Sequence, residues 1–331
     1  MKPAKYFERR DNKKVQCTLC PHMCIIENNS RGICGVRENQ GGELISLIYA
    51  RPSAMNIDPI EKKPLFHFLP GSKTFSIGTV GCNMTCDHCQ NHTLSRGSPN
   101  VGGNLLPKRA VELAEENGCR SISYTYNEPT IFYEYMLDTA MMARDEGLKN
   151  VIVSNGYMNK EPLAELLPYI DAANIDLKSF SDDFYRKICG ARLDLVLETI
   201  KTIHKSCHLE ITTLVIPGLN DGQDEIRKLT GWIASELGSD VPFHLSRFFP
   251  HHRMEHFEPT SKDTLLMCLD AAKENLKHVY LGNIRIEKTE NTYCPSCNKL
   301  LIGRTGFGIL INKIKEGRCP CGKKINGIFT S

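Results

Sequence analysis

The run Gly81-Cys82-Asn83-Met84-Thr85-Cys86-Asp87-His88-Cys89-Gln90-Asn91 places three cysteines at C-x3-C-x2-C spacing, the sharpest chemical signal in the chain. Three thiolates on one loop can converge on three corners of an iron–sulfur cubane, and thiolate ligation suits such a cluster. The fourth ligand is missing. An iron without a cysteine can accept an external chelating ligand, much as an open zinc site accepts water. The competing reading is a structural zinc knuckle that borrows His88 or His92. The loop's place at the end of a strand, not on a hairpin, argues for the cluster.

Two further cysteine groups flank this loop. Cys17, Cys20, Cys24 and Cys34 supply four thiols close in sequence, enough for zinc or for a closed auxiliary [4Fe–4S] cluster, and spacing alone does not choose. Cys294-x2-Cys297 and Cys319-x-Cys321 bracket a stretch of strand-like residues and glycines, as in a zinc ribbon. The second pair is tighter than the usual C-x2-C. Cys119, Cys189, Cys207 and Cys268 stand alone and read as packing residues, and Met23, Met84, Met141 and Met142 as core filler. The chain has 15 cysteines, an odd number, so grouped metal ligands are expected in preference to disulfides.

Elements that position these residues follow from periodicity. Apolar, β-branched runs at 75–80, 121–126, 151–154, 173–177, 209–216 and 243–248 predict six strands. Helical stripes lie between them: Ala110, Leu113 and Ala114; Ile131, Tyr135 and Met136 after Pro129; Leu193, Leu197 and Ile200; Ile226, Leu229 and Ile233. Six strand-then-helix units predict an α/β fold, a parallel sheet with outer helices whose strand ends carry the site. Composition divides the chain into a Cys-rich segment at 1–66, the repeating unit at 67–286, and a zinc-ribbon-like segment at 287–331.

Charge excludes some partners. Lysine and arginine number 41 against 38 acidic residues, a formal +3, with no basic block, so neither nucleic acid nor membrane is expected. The polar start of the chain lacks the apolar core of a signal peptide, which predicts a cytoplasmic protein.

In its motifs the chain resembles the radical S-adenosylmethionine (SAM) superfamily, and within it the relatives of pyruvate formate-lyase activating enzyme. It is most similar to the radical SAM component of the AmmeMemoRadiSam system. The resemblance rests on Cys17-Thr-Leu-Cys-Pro-His-Met-Cys24, Pro59-Ile-Glu-Lys-Lys-Pro-Leu-Phe-His67, Pro70-Gly-Ser72, the cluster loop, Tyr126-Asn-Glu-Pro129, Asn174-Ile-Asp-Leu-Lys178 and Pro217-Gly-Leu-Asn-Asp221, in that order. It implies a partial (β/α)6 TIM-like barrel whose [4Fe–4S] cluster, on Cys82, Cys86 and Cys89, is chelated by SAM. Reductive cleavage of SAM would give a 5′-deoxyadenosyl radical that abstracts hydrogen from a substrate, with ferredoxin or flavodoxin as electron donor.

The resemblance also implies SAM contacts. Asn127 and Glu128 would meet the amino group, and Asn155 the carboxylate or ribose. Asp176 and Lys178 would meet ribose hydroxyls and carboxylate, and His88 would stand where the superfamily has an aromatic residue near adenine. Each has a plainer reading: a turn at Asn155-Gly156, an ion pair between Asp176 and Lys178. His251 and His252 read as exposed loop residues at the site's edge. Three functions stay open: a radical enzyme on an unidentified substrate, an activase that makes a glycyl radical on a partner enzyme, and a metal-binding scaffold without turnover. A protein substrate or companion subunits fit the first two.

Overall fold

A computed structural model describes residues 1–329. Its main sheet has eight strands in sequential order: β1 (Ala54–Pro59), β2 (Lys73–Gly78), β3 (Ser121–Tyr124), β4 (Lys149–Ser154), β5 (Ala172–Asp176), β6 (His208–Val215), β7 (Phe243–Arg247) and β8 (Val279–Gly282). Strands β2 to β8 are parallel, whereas β1 runs antiparallel to β2 at the edge. Between them run α1 (Pro107–Glu116), α2 (Tyr133–Asp145), α3 (Lys160–Leu166), α4 (Leu193–His204), α5 (Gln223–Glu236) and α6 (Lys262–Lys273), one after each of β2 to β7. This is the open α/β barrel expected from six strand-then-helix units, with two strands added. Strand β8 has only four residues, too few to show a period. Strand β1 ends on Asp58 and Pro59 and leaves Met55 and Ile57 exposed, as an edge strand does.

Strands β3 and β5 are buried along nearly their whole length because a parallel sheet is covered on both faces. Helix α2 is buried more widely than an amphipathic helix needs, from Tyr133, Tyr135, Met136 and Leu137 round to Ala140 and Ala143. The N-terminal segment supplies the second cover. Tyr6 and Tyr49 meet Tyr133 and Tyr135 edge-on, with ring centres 5.3 and 5.7 Å apart. Arg37 reaches Glu134 of α2 in a buried ion pair of 2.9 Å. The N-terminal segment's own strands form two small three-stranded sheets. Their buried Val15, Leu19, Ile26 and Val36 are continuous with the barrel core.

The C-terminal segment forms an antiparallel sheet of β9 (Thr292–Tyr293), β10 (Leu300–Thr305) and β11 (Gly308–Asn312) with a separate small core. Arg304 pins it to the barrel: the guanidinium lies 4.3 Å from the Phe66 ring centre and donates to Phe66 O at 2.7 Å. Of the four methionines expected as core filler, Met84 is buried while Met23, Met141 and Met142 are exposed. Met141 and Met142 lie on the exposed side of α2. Among the described residues, no helix is long and apolar enough to cross a membrane.

Candidate active site at the barrel mouth

The three-cysteine loop leaves the C-terminal end of β2, and local packing fixes its exit. A Cβ at Gly78 would stand 2.8 Å from Thr125 O, and one at Gly81 2.7 Å from Cys34 O, where φ is +94°. Only glycine serves at either position. Asn127 then braces the loop. It accepts from Thr79 N at 2.9 Å and donates to Thr79 Oγ1 at 3.1 Å and Gly81 O at 2.9 Å. The resemblance made Asn127 a SAM contact. In the structure its side-chain amide is committed to the loop, and it reaches the cavity only as wall. Further along, Asn83 donates to Tyr157 O at 2.7 Å, and the amides of Thr85 and Asp87 bond to the carbonyls of Cys189 and Ile188.

The turn that carries Asn127 is strained and held. Tyr126 sits at φ +70°, a left-handed conformation that costs a non-glycine residue about 1–2 kcal/mol. Its hydroxyl donates to Asp58 at 2.5 Å, and Asp58 pairs in turn with the buried Lys63.

Cys82, Cys86, His88, Cys89, Asn127, Glu128, Asn155, Asp176 and Lys178 all line one cavity of about 590 Å³. Strand ends β2 to β5 thus deliver to one place the residues picked out at the mouth. Glu128 is buried. Its Oε1 accepts from Thr130 N, Thr130 Oγ1 and Ser154 Oγ, whereas Oε2 accepts only from Asn155 N at 2.8 Å. Burial raises its pKa against the pull of these bonds. Asn155 Nδ2 lies 3.8 Å from Cys82 Sγ and 2.9 Å from Asn83 Oδ1. Asp176 and Lys178 do form an ion pair, at 3.0 Å, and both face the cavity. Burial works against the Lys178 charge, but Asp176 and the thiols of Cys86 and Cys189 raise its pKa well above the ordinary lysine value. Burial and Lys178 together push His88 down to about 3, leaving a neutral ring beside Phe184.

Cys189 is the surprise of the site. Its sulfur and the ligand atoms of Cys86 and His88 lie within 4.8 Å of one another, although Cys189 does not line the cavity. A π-helical turn, Tyr185–Cys189, ending at left-handed Gly190 brings it there. No spacing in the sequence announces it. Cys82 and Cys89 fall outside that tight set, so the three loop cysteines are not gathered on one small ion. Such spread thiolates, opening onto a polar cavity, fit a cluster with one iron left for an external ligand. His92 instead stacks on His252 at 5.0 Å, and neither it, His251 nor His252 lines the cavity.

The terminal groups differ from each other. Cys294 and Cys321 sulfurs stand 3.6 Å apart, Cys297 and Cys319 3.7 Å, and all four lie within 4.8 Å. Four thiolates on one tetrahedral ion, each about 2.3 Å from it, require such spacing, and the short C-x-C pair accommodates it. Cys17, Cys20, Cys24 and Cys34 line a cavity of their own. Cys119 and Cys268 are buried in the core as packing residues, and Cys207 packs against it half-buried.

Residues 76–230 match the radical SAM superfamily. An uncharacterised protein of Methanocaldococcus jannaschii is 44% identical over 98% of this chain and 99% of its own. The pyruvate formate-lyase-activating enzyme of Clostridium pasteurianum is 26% identical over 53% of this chain and 76% of its own. The 4-hydroxyphenylacetate decarboxylase activating enzyme of Clostridium scatologenes is 23% identical over 44% of this chain, and the match spans about half, 54%, of that enzyme. In fold, the chain is similar to Streptococcus suis SuiB bound to S-adenosylmethionine, with a TM-score of 0.50 and 15% identity over 68% of this chain and 53% of that one. The chain belongs to the radical SAM superfamily, whose members pair a [4Fe–4S] cluster with SAM.

Proposed function

We propose that this chain is a radical SAM enzyme that abstracts hydrogen from a substrate of its own, distinct from the glycine of a glycyl-radical partner. The observation that carries the radical chemistry is the shared cavity: Cys82, Cys86 and Cys89 open onto the same space as Glu128, Asn155, Asp176 and Lys178. When bound, cluster and SAM supply an electron and a 5′-deoxyadenosyl radical. The chain's residues bind and orient. Glu128 offers the free face of Oε2 to the SAM ammonium as a charge-assisted acceptor. Lys178 meets the carboxylate and Asp176 the ribose hydroxyls. The neutral His88 ring packs against adenine, and Asn127 and Asn83 hold the loop rigid.

The substrate reading rests on a second cavity, of about 680 Å³. It shares Lys62, Pro64, Thr212, Ser246 and Asn283 with the first, and Thr305, Gly306 and Phe307 of the C-terminal ribbon form one wall. A ribbon across the barrel's open side favours a bounded substrate over the loop of a large partner. The activase reading draws its support from the relatives named as activating enzymes. A scaffold without turnover leaves the spare acceptor on Glu128 without purpose. Finer placement with the AmmeMemoRadiSam component rests on motif order. A ferredoxin or flavodoxin donor, zinc on the C-terminal quartet and a cytoplasmic location complete the proposal.

The test is anaerobic incubation of the reduced enzyme with cell extract. A new mass on a small molecule or side chain, with stoichiometric 5′-deoxyadenosine, is expected. A persistent glycyl-type EPR doublet on a protein, lost in Cys82→Ala, would establish the activase instead.

A further inference from the structure

We propose that Cys17, Cys20, Cys24 and Cys34 hold a closed [4Fe–4S] cluster that passes single electrons to the neighbouring three-cysteine site. The relay rests on the radical reading of the mouth; the cluster assignment does not.

Sulfur spacing separates this quartet from the ribbon. Four thiolates on one zinc stand roughly 3.8 Å apart, as the ribbon's do. Among the described residues, no three of Cys17, Cys20, Cys24 and Cys34 bring their sulfurs within 4.8 Å of one another. A cubane binds each thiolate through a different iron and spreads the four to that extent. Instead of converging, the four line a common cavity.

A second observation points to an anionic occupant. Arg37 lines the same cavity and is 1% exposed. One nitrogen, Nη2, serves Glu134 and Lys5 O, while Nε and Nη1 have no partner. Buried guanidinium donors left unpaired are costly. A cluster held by four thiolates carries net negative charge, and its sulfurs accept hydrogen bonds. Such an occupant satisfies Arg37; an empty apolar pocket does not.

The cavity also abuts the mouth. Cys34 O sits against Gly81, the residue before Cys82. Asn83 lines the N-terminal cavity while its Oδ1 lies 4.0 Å from Cys82 Sγ, and His22 Nε2 lies 2.6 Å from Asn83 O. One residue of chain therefore separates the two groups. In the relay, the reduced N-terminal cluster gives one electron to the oxidised mouth cluster. The first returns from the 1+ to the 2+ core state and the second goes from 2+ to 1+. Ferredoxin or flavodoxin refills the first. With four cysteines its irons are closed, so no bond forms or breaks there.

The test compares the anaerobically reconstituted full chain with the Cys82→Ala/Cys86→Ala/Cys89→Ala variant, whose N-terminal group is untouched. The proposal expects about eight irons in the full chain and about four in the variant, with one zinc in each. Dithionite should give the variant an S = 1/2 EPR signal, broadened by dipolar coupling in the full chain. Two zincs and no iron in the variant would overturn the cluster. Equal iron of about four in both would keep the N-terminal cluster, and would overturn the relay by removing the mouth cluster. Eight irons with no broadening would also overturn the relay. Mössbauer spectra of the full chain check the count without a variant: SAM should shift only the one open iron, about one eighth of the iron signal, and a shift of about one quarter would overturn the proposal.

Discussion

Glu128 at the mouth of the barrel and Glu210 at its base are both enclosed carboxylates, yet they are solvated by the protein in different ways. Glu210 is complete. Its Oε1 accepts from His67 N at 2.6 Å and lies 3.0 Å from His208 Nε2; its Oε2 accepts from Phe66 N at 3.0 Å and lies 2.6 Å from His244 Nε2. Burial raises its pKa, but His208 and His244 more than offset that and hold it well below the usual range. For Glu128 the balance goes the other way, one oxygen has a single partner, and the residue lines a cavity. A buried charge with its full set of partners fastens strands together. One with an acceptor position left over, beside empty space, matches the ligand-binding role proposed for Glu128.

Isosteric loss of charge at the two ends sharpens the contrast. Glu210→Gln breaks a network that joins β6, β7 and the 60–70 segment, and removing one partner of a buried charge network typically costs about 3–5 kcal/mol. The urea midpoint should fall accordingly, while SAM affinity per folded molecule stays unchanged. Glu128→Gln should behave in reverse. Loss of a charge-assisted hydrogen bond costs about 1.5–3 kcal/mol, roughly 10- to 150-fold in SAM affinity, with cluster absorbance intact. An equal fall in stability for both variants, with SAM binding untouched, would erase the distinction.

A smaller, graded effect comes from the base histidines, and His88 at the mouth acts in the same direction. Burial and the neighbouring His278 depress the His67 pKa well below 6.5, and burial lowers His278 to about 4. Their rings stand 4.6 Å apart. Both stay neutral in the fold while the unfolded chain takes up protons as pH drops below 6.5. Stability is therefore fully present above pH 6.5. It erodes toward pH 4 at up to about 1.4 kcal/mol per pH unit for each histidine. Below 4.5 the depressed Glu210 adds to the loss in the same direction. Thermal midpoints measured from pH 8 to 4.5 should be flat and then fall. A midpoint that holds steady from pH 6.5 to 4.5 would contradict the neutral base.

Mouth and base were unequally legible in the sequence. The cluster loop is a local motif, and polar residues at strand ends are predictable because a parallel α/β fold gathers those ends on one face. Glu128, Asn155, Asp176 and Lys178 lie at such strand ends, and the family resemblance picks them out from the sequence. Partners chosen by tertiary packing leave no such mark. Arg37 and Glu134, or Glu210 and His244, lie far apart in the chain and carry no spacing signal. Cys189 looked like a lone core cysteine until a π-turn placed it beside Cys86. Asn127 lines the cavity as its motif suggests, and its side chain also braces the loop through Thr79 and Gly81, a task its motif does not announce. Strands β1 and β8 were missed for lack of length or alternation, and with them the way the first segment joins the sheet through β1.

The most direct test of the account is formation of 5′-deoxyadenosine. The chain would be reconstituted anaerobically with iron and sulfide, reduced, given SAM, and the product quantified by mass spectrometry. The full chain should form 5′-deoxyadenosine, and Cys82→Ala, Cys86→Ala and Cys89→Ala should each abolish it, because losing one thiolate prevents assembly or exposes the wrong iron. Undiminished cleavage of SAM by the variant lacking all three cysteines would contradict the account.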